Sequence, residues 1–204
     1  MIAIIDYGMG NLRSVQKAFE FLGFPAVITD SREVIARADH VVLPGVGAFR
    51  DAMACLRETG LDQAVLEAAR VGKPVLGICL GMQMMFQRSE ENGVWEGLGL
   101  FPGVIARFED RGLKIPHMGW NTLKTRACPL FDEGDDPAVY FVHSYCAAEI
   151  SDDWTAATCD YGQTFTAVVC RGNVMATQFH PEKSGEAGLK ILRRFAQWKG
   201  AASC

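Results

Sequence analysis

The chain has no Cys-x-x-Cys pair, no basic excess, no internal repeat and no low-complexity tract or linker. No apolar run approaches the roughly 20 residues that span a bilayer. The N-terminus, MIAIIDYG, lacks the basic segment and small-residue cleavage site of a secretory signal and reads directly as a first strand. A formal net charge of −4 leaves no basic footprint for nucleic acid. The seven cysteines, Cys55, Cys79, Cys128, Cys146, Cys159, Cys170 and Cys204, are odd in number and scattered. Reduced thiols in a cytoplasmic protein are the expectation. His40, His117, His143 and His180 show no ligand spacing with one another or with the cysteines, so no metal is expected.

What remains is a well-supplied core: 49% of the 204 residues are hydrophobic and 22% charged, which suits one domain over residues 1–204. Ile2 to Asp6 reads as a strand before the turn YGMGN. Val15, Ala18, Phe19 and Leu22 then repeat at helical spacing, Gly23 closes that helix, and Ala26 to Thr29 forms the next strand. HVVLP (His40 to Pro44) is a third strand, helices follow at Asp51 to Glu58 and Leu61 to Val71, and VLGIC returns as a strand. Near-continuous apolar strands separated by helices imply a parallel sheet covered on both faces. The second half turns to short, often alternating strands, VIARF, VYFVHSYCA, FTAVVCR and VMATQF, before a final helix from Gly185 to Trp198. Lys190 to Lys199 is basic, but Ile191, Leu192, Phe195 and Ala196 share one face, so it reads as a solvated helix with a core stripe. The expected fold is α/β: an open, mostly parallel sheet flanked by helices, with an added antiparallel section.

The chemistry gathers at VLGICLGMQMMF, Val75 to Phe86. G-I-C-L-G is the cysteine form of the nucleophile elbow, a sharp strand-to-helix turn that exposes its central residue. A helix from Leu80 would turn its positive end toward the Cys79 sulfur, and Met84, Met85 and Phe86 would anchor that helix in the core. The elbow alone leaves a packing cysteine open. A nucleophile needs a base with an orienting group, and QFHPE (Gln178 to Glu182) supplies His180 with Glu182 two residues on, across the rigid Pro181. In PGVGAF (Pro44 to Phe49) glycines follow a strand, leaving N–H groups free to meet a developing oxyanion beside the Leu80 N–H.

The combination of PGVGAF, GICLGMQ and QFHPEKS resembles the triad (class I) glutamine amidotransferases, whose fold is flavodoxin-like. Within that class DYGMGN (Asp6 to Asn11), KIPHMGWN (Lys114 to Asn121) and FVHSY (Phe141 to Tyr145) are similar to the glutaminase subunits of imidazole glycerol phosphate synthases. The likeness spans essentially the whole chain. It implies that Cys79 attacks the carboxamide of glutamine, that His180 moves the protons and that Glu182 orients His180. It also implies an oxyanion hole at Gly45, Val46, Gly47 and Leu80, and glutamine held by Gln83, Ser144 and Tyr145. The partner it implies is a cyclase subunit with a (β/α)₈ barrel, forming a heterodimer that receives ammonia and makes imidazole glycerol phosphate and aminoimidazole carboxamide ribotide in histidine biosynthesis. Asn11, Trp120 and Lys183 match positions near the partner face, although Trp120, read as part of an M-G-W-N turn, also suits a core. No cofactor is implied. The acidic loop DEGDDP (Asp132 to Pro137) and the tail AASC match no motif and are expected at the surface.

Three other readings stand beside this one. DYGMGNLR with Asp30 comes close to a dinucleotide fingerprint, but Arg13 occupies its third glycine position and would crowd a pyrophosphate. A cysteine hydrolase or redox sensor would share the elbow without the H-P-E element. Another triad amidotransferase, serving pyridoxal phosphate, GMP or anthranilate synthesis, would share the triad but not DYGMGN and PHMGWN.

Overall fold

The computed structural model describes residues 1–200, and the tail AASC lies outside them. The first half runs β1 (Ile2–Ile5), α1 (Leu12–Phe21), β2 (Ala26–Thr29), α2 (Arg32–Arg37), β3 (His40–Gly45), α3 (Phe49–Glu58), α4 (Leu61–Arg70) and β4 (Val75–Cys79). β1, β3 and β4 are buried along their whole length. A strand covered on both faces has no solvent side to alternate toward, which is why these three read as unbroken apolar runs. α1 buries Val15, Ala18 and Phe19, and Gly23 follows at φ 84°, the left-handed position that ends a helix. α2 escaped the sequence reading. It spans six residues and is capped by the Ser31 hydroxyl, which accepts the Val34 N–H at 3.4 Å.

The second half continues α5 (Leu80–Met84), β5 (Phe86–Ser89), β6 (Trp95–Glu96), β7 (Phe101–Arg107), β8 (His117–Thr125), β9 (Ala138–His143), β10 (Tyr145–Ala148), β11 (Thr155–Asp160), β12 (Thr164–Arg171), β13 (Val174–Thr177) and α6 (Gly185–Gln197). Two expectations are corrected here. The helix after Cys79 stops at Met84, and Phe86 opens a strand, because this fully buried apolar run carries no periodicity to mark the change. Trp120 lies in no turn: it sits inside the nine-residue strand β8, paired with Tyr140 of β9.

The strands join in the order β2-β1-β3-β4-β13-β12-β10-β7-β5-β6, with β11 linking β12 to β8 and β8 pairing with β9. From β2 to β13 every neighbour is parallel, and beyond β13 antiparallel pairs dominate. Alternate side chains divide between two cores. Ile2, Ile4, Val42 and Leu76 pack with Val15 and Phe19 of α1 and Ile191, Leu192 and Phe195 of α6. Ala3, Ile5, Val41, Leu43 and Val75 pack with Phe49, Leu56, Leu61 and Val65 of α3 and α4. The acidic loop is at the surface as expected, where Asp132 and Asp135 pair with Arg194 and Lys190 of α6 at 2.7 and 3.0 Å. Among the described residues no helix is long and apolar enough to cross a membrane.

The topology has one consequence for chemistry. β13 is inserted beside β4, parallel to it, with Thr177 opposite Ile78. The segments that follow these two strands, one bearing Cys79 and the other His180, therefore emerge side by side at the carboxyl edge, where open α/β sheets place their ligands.

Candidate active site

Cys79 sits at the turn from β4 into α5 with φ 56° and ψ −112°. A side-chain-bearing residue in this region costs on the order of 1–3 kcal/mol, so the surrounding structure must impose it. The flanking glycines show how. A Cβ on Gly81 would lie 1.9 Å from the Leu43 carbonyl oxygen, and one on Gly77 would meet Met85 Sδ at 2.9 Å and the Gly81 backbone at 3.0 Å. Both glycines are therefore required by space. α5 spans only five residues, so it supplies free N–H groups but a much smaller dipole than a long helix would. The sulfur instead has side-chain neighbours: the Gln178 Nε2 at 4.0 Å and the His180 ring, which shares the cleft with it and feels its charge.

His180 is 2% exposed. Pro181 opens a single 3₁₀ turn, Pro181–Lys183, that folds Glu182 back so that His180 Nδ1 donates to Glu182 Oε1 at 2.8 Å. The other ring nitrogen is left for the sulfur. The turn is held from outside by the Ser184 hydroxyl, which donates to the His180 carbonyl at 2.7 Å, and by α6, where a Cβ on Gly188 would strike the Pro181 carbonyl at 1.9 Å. Burial disfavours a charged ring here, but the Cys79 sulfur and the Glu182 carboxylate outweigh it and raise His180 from 6.5 to about 9. A buried imidazolium beside a sulfur is a proton donor placed at the nucleophile.

A cleft of about 340 Å³ opens over this pair, lined by Val46, Gly47, Leu80, Gln83, Ser144 and Tyr145 together with Glu91, Pro116, Val142 and His143. Of the expected oxyanion residues, Gly45 alone does not reach the cleft. It is the ladder partner of Cys79, and the space of its missing Cβ is filled by the Tyr7 hydroxyl at 2.8 Å, the Gly81 nitrogen at 2.9 Å and the Leu80 Cβ at 3.0 Å. Gly45 lets the elbow pack onto β3, and the loop that follows, with Gly47 at φ 95°, lines the cavity. Asn11, Trp120 and Lys183 lie outside the cleft. Asn11 precedes α1 and accepts the Ser14 hydroxyl at 2.8 Å, while Trp120 is 59% exposed on β8 beside Met118, 61% exposed. Lys183 is exposed on the turn below His180, close to Gly185, which the Trp120 ring approaches.

The chain matches the family model for glutamine amidotransferase class-I over residues 3–198. It belongs to the class-I glutamine amidotransferases. Similar curated proteins are the imidazole glycerol phosphate synthase subunits HisH of Oceanobacillus iheyensis, 50% identical over 97% of this chain and 98% of theirs, and of Syntrophotalea carbinolica, 53% identical over 96% and 98%. Among solved structures, a glutamine amidotransferase superposes with TM-score 0.74 at 18% identity, covering 95% of this chain and 96% of that one. PurLQS from Thermotoga maritima superposes with TM-score 0.76 at 22% identity over 95% and 96%. At those identities the superpositions speak for the fold.

Four residues in the wall of the amidotransferase cleft or buried behind it were not singled out from sequence. Tyr7 donates to the Pro44 carbonyl at 3.1 Å beneath the glycine loop. Glu91 Oε2 accepts the Phe49 N–H at 2.7 Å where that loop enters α3. Gln178 accepts Gln83 Nε2 at 3.0 Å, and His143 lies on the cleft wall. Gln178 and His143 stand inside motifs already noted, QFHPE and FVHSY, but Glu91 carries no local signal.

Proposed function

We propose that this chain is the glutaminase subunit of an imidazole glycerol phosphate synthase and that Cys79, His180 and Glu182 are its catalytic triad. The observation that carries the reading is the buried Cys79–His180–Glu182 array at the floor of a cleft that also holds Gln83, Ser144 and Tyr145. Cys79 attacks the side-chain carboxamide carbon of glutamine, and the N–H groups around Val46, Gly47 and Leu80 take the oxyanion. The His180 imidazolium gives its proton to the departing ammonia, leaving a glutamyl thioester and a neutral ring. That ring then takes a proton from water as the water attacks the thioester, and glutamate leaves. Glu182 fixes the ring's tautomer and supports its charge.

The full-length relatives named HisH support the choice of synthase, as do the DYGMGN and PHMGWN motifs. Free ammonia is protonated in water and loses its nucleophilicity, so a glutaminase of this kind works docked to its acceptor with water excluded. The partner is a cyclase subunit with a (β/α)₈ barrel, and the docking face carries Asn11, Trp120 and Lys183, with Met118 beside them. Among the described residues, exposed Trp and Met side by side on one strand suit a protein interface. A coupled assay tests both halves of the reading. Glutamine hydrolysis is expected to be weak for the chain alone and to rise strongly with the cyclase and its ligand. Cys79→Ala is expected to abolish glutamine-dependent synthesis while ammonia-dependent synthesis by the complex persists. Near wild-type hydrolysis by Cys79→Ala, or equal turnover with and without the partner, refutes the proposal.

A further inference from the structure

Two buried histidines take no part in the chemistry above, yet their hydrogen bonds run from β8 to the cleft. His143 is 5% exposed and His117 2%. His143 Nδ1 lies 2.9 Å from the Tyr145 carbonyl. A carbonyl only accepts, so that nitrogen carries the proton. His143 Nε2, bare in a neutral ring, faces His117 Nδ1 at 3.1 Å, so His117 donates and its own Nε2 is bare in turn. That atom faces the amide of Asn121 at 3.4 Å, and the same amide donates to the Asp160 carbonyl at 2.8 Å. Every donor then meets an acceptor only if both rings are neutral. Burial holds them so, keeping His117 down at about 4 and His143 at about 3.

The chain continues past Tyr145. Its carbonyl also accepts Gln83 Nε2 at 3.1 Å, Gln83 donates to Gln178 Oε1 at 3.0 Å, and Gln178 Nε2 points at the Cys79 sulfur from 4.0 Å. One continuous set of contacts thus connects Asn121 of β8 to the nucleophile, with donors from both sides converging on the Tyr145 carbonyl in the turn that lines the glutamine cleft. On the same strand Met118 and Trp120 alternate with His117 and face outward.

We propose that His143, held in one tautomer by His117, is a positioning residue that fixes the Ser144–Tyr145 turn and Gln83 for glutamine. The inference rests on the glutaminase reading above. It differs from a catalytic assignment because it needs a neutral donor and acceptor at position 143, with no proton gained or lost. An amide at that position meets the requirement.

The test is steady-state glutamine hydrolysis by the complex with the cyclase. His143→Ala is expected to raise KM about 10-fold with kcat within about 3-fold, the size of one net hydrogen bond to a buried carbonyl. His143→Gln is expected to return KM to within about 3-fold of wild type, since its amide donates to Tyr145 and accepts from His117. His117→Phe keeps a ring among Phe108, Phe141 and Tyr161 and removes only the nitrogens, so it reports even where the alanine variant fails to fold. It is expected to raise KM several-fold. KM within 2-fold of wild type for His117→Phe, or a His143→Gln chain that melts like wild type and is no better than His143→Ala, overturns the proposal. Imidazole nitrogen chemical shifts give a readout independent of activity. Both rings are expected as neutral Nδ1–H tautomers near pH 7, and an Nε2–H tautomer at His143 defeats the relay even if the chain is a glutaminase.

Discussion

Replacing Glu182 with glutamine removes one charge and almost no volume. His180 stands at about 9 against an ordinary 6.5. At roughly 1.4 kcal/mol per unit, the site favours the imidazolium by something on the order of 3 kcal/mol. Burial works against that charge, so the Cys79 sulfur and the Glu182 carboxylate together supply more than the net amount. The imidazolium persists below about 9 and is lost above it, which puts the alkaline limb of glutamine hydrolysis near pH 9. In Glu182→Gln the carboxylate's share disappears, and the limb moves to lower pH. Because an amide can also turn its NH₂ toward Nδ1, the ring is no longer confined to the tautomer that serves the sulfur. The expected loss in kcat/KM is roughly 10²- to 10⁴-fold. The assay is glutamate release by the complex across about pH 6 to 10. The same shift acts on stability with a definite sign: a raised value favours the folded chain fully below 6.5, and the benefit fades as pH rises to about 9. The melting temperature of Glu182→Gln is therefore expected to fall further behind wild type at pH 6 than at pH 9.5. An unmoved alkaline limb with kcat/KM within 2-fold of wild type refutes the reasoning.

Gly81→Ala drives a methyl group into the Leu43 carbonyl, 1.9 Å away. We expect a loss of about 3 kcal/mol in chemical denaturation, and a loss below about 1 kcal/mol counts against the close packing described. His117 and His143 are kept neutral at about 4 and about 3, so the stability they confer is present above 6.5 and lost as pH falls toward those values. The double variant His117→Phe/His143→Gln is expected to flatten acid unfolding between about pH 6 and 4, and an unchanged slope refutes this. Among the described residues, Cys128 should react faster than Cys146 and Cys159. The neighbouring Cys170 thiol and the Leu130 N–H, 3.4 Å from its sulfur, bring it down despite burial, while burial pushes Cys146 and Cys159 up to about 12. Iodoacetamide mapping of Cys79→Ala near pH 7.5 checks this, and equal labelling of Cys146 is the contrary result.

The parallel half of the sheet was legible because full burial writes itself as apolar runs of strand length. β8 and β11 were not. HMGWNTLKT alternates as a strand should, but its inward positions hold His117, Gly119 and Asn121, and TAATCD packs with small side chains. Neither composition resembles a core strand until the neighbours that cover it are known. The parts of the proposed triad could be picked out because each is local: glycines fixed by the elbow, and a glutamate held two residues from its histidine by proline. The Gln83–Gln178 and His117–His143 contacts join residues 95 and 26 positions apart, and no short window of sequence encodes them. That Gly45 lies outside the cleft was hidden for a similar reason. A glycine that admits a neighbour and a glycine that frees an amide look alike until the neighbour is seen.

The insertion of β13 next to β4 also sets a clock. Cys79 leaves the ribosome about a hundred residues before His180, which at roughly 5–20 residues per second is a delay of about 5 to 20 seconds. Throughout that interval β4 has β3 on one side and an open edge on the other, and the thiol has neither base nor orienting acid. With the proposed triad, a nascent or truncated chain consumes no glutamine, and activity first appears when nearly the whole polypeptide has been made.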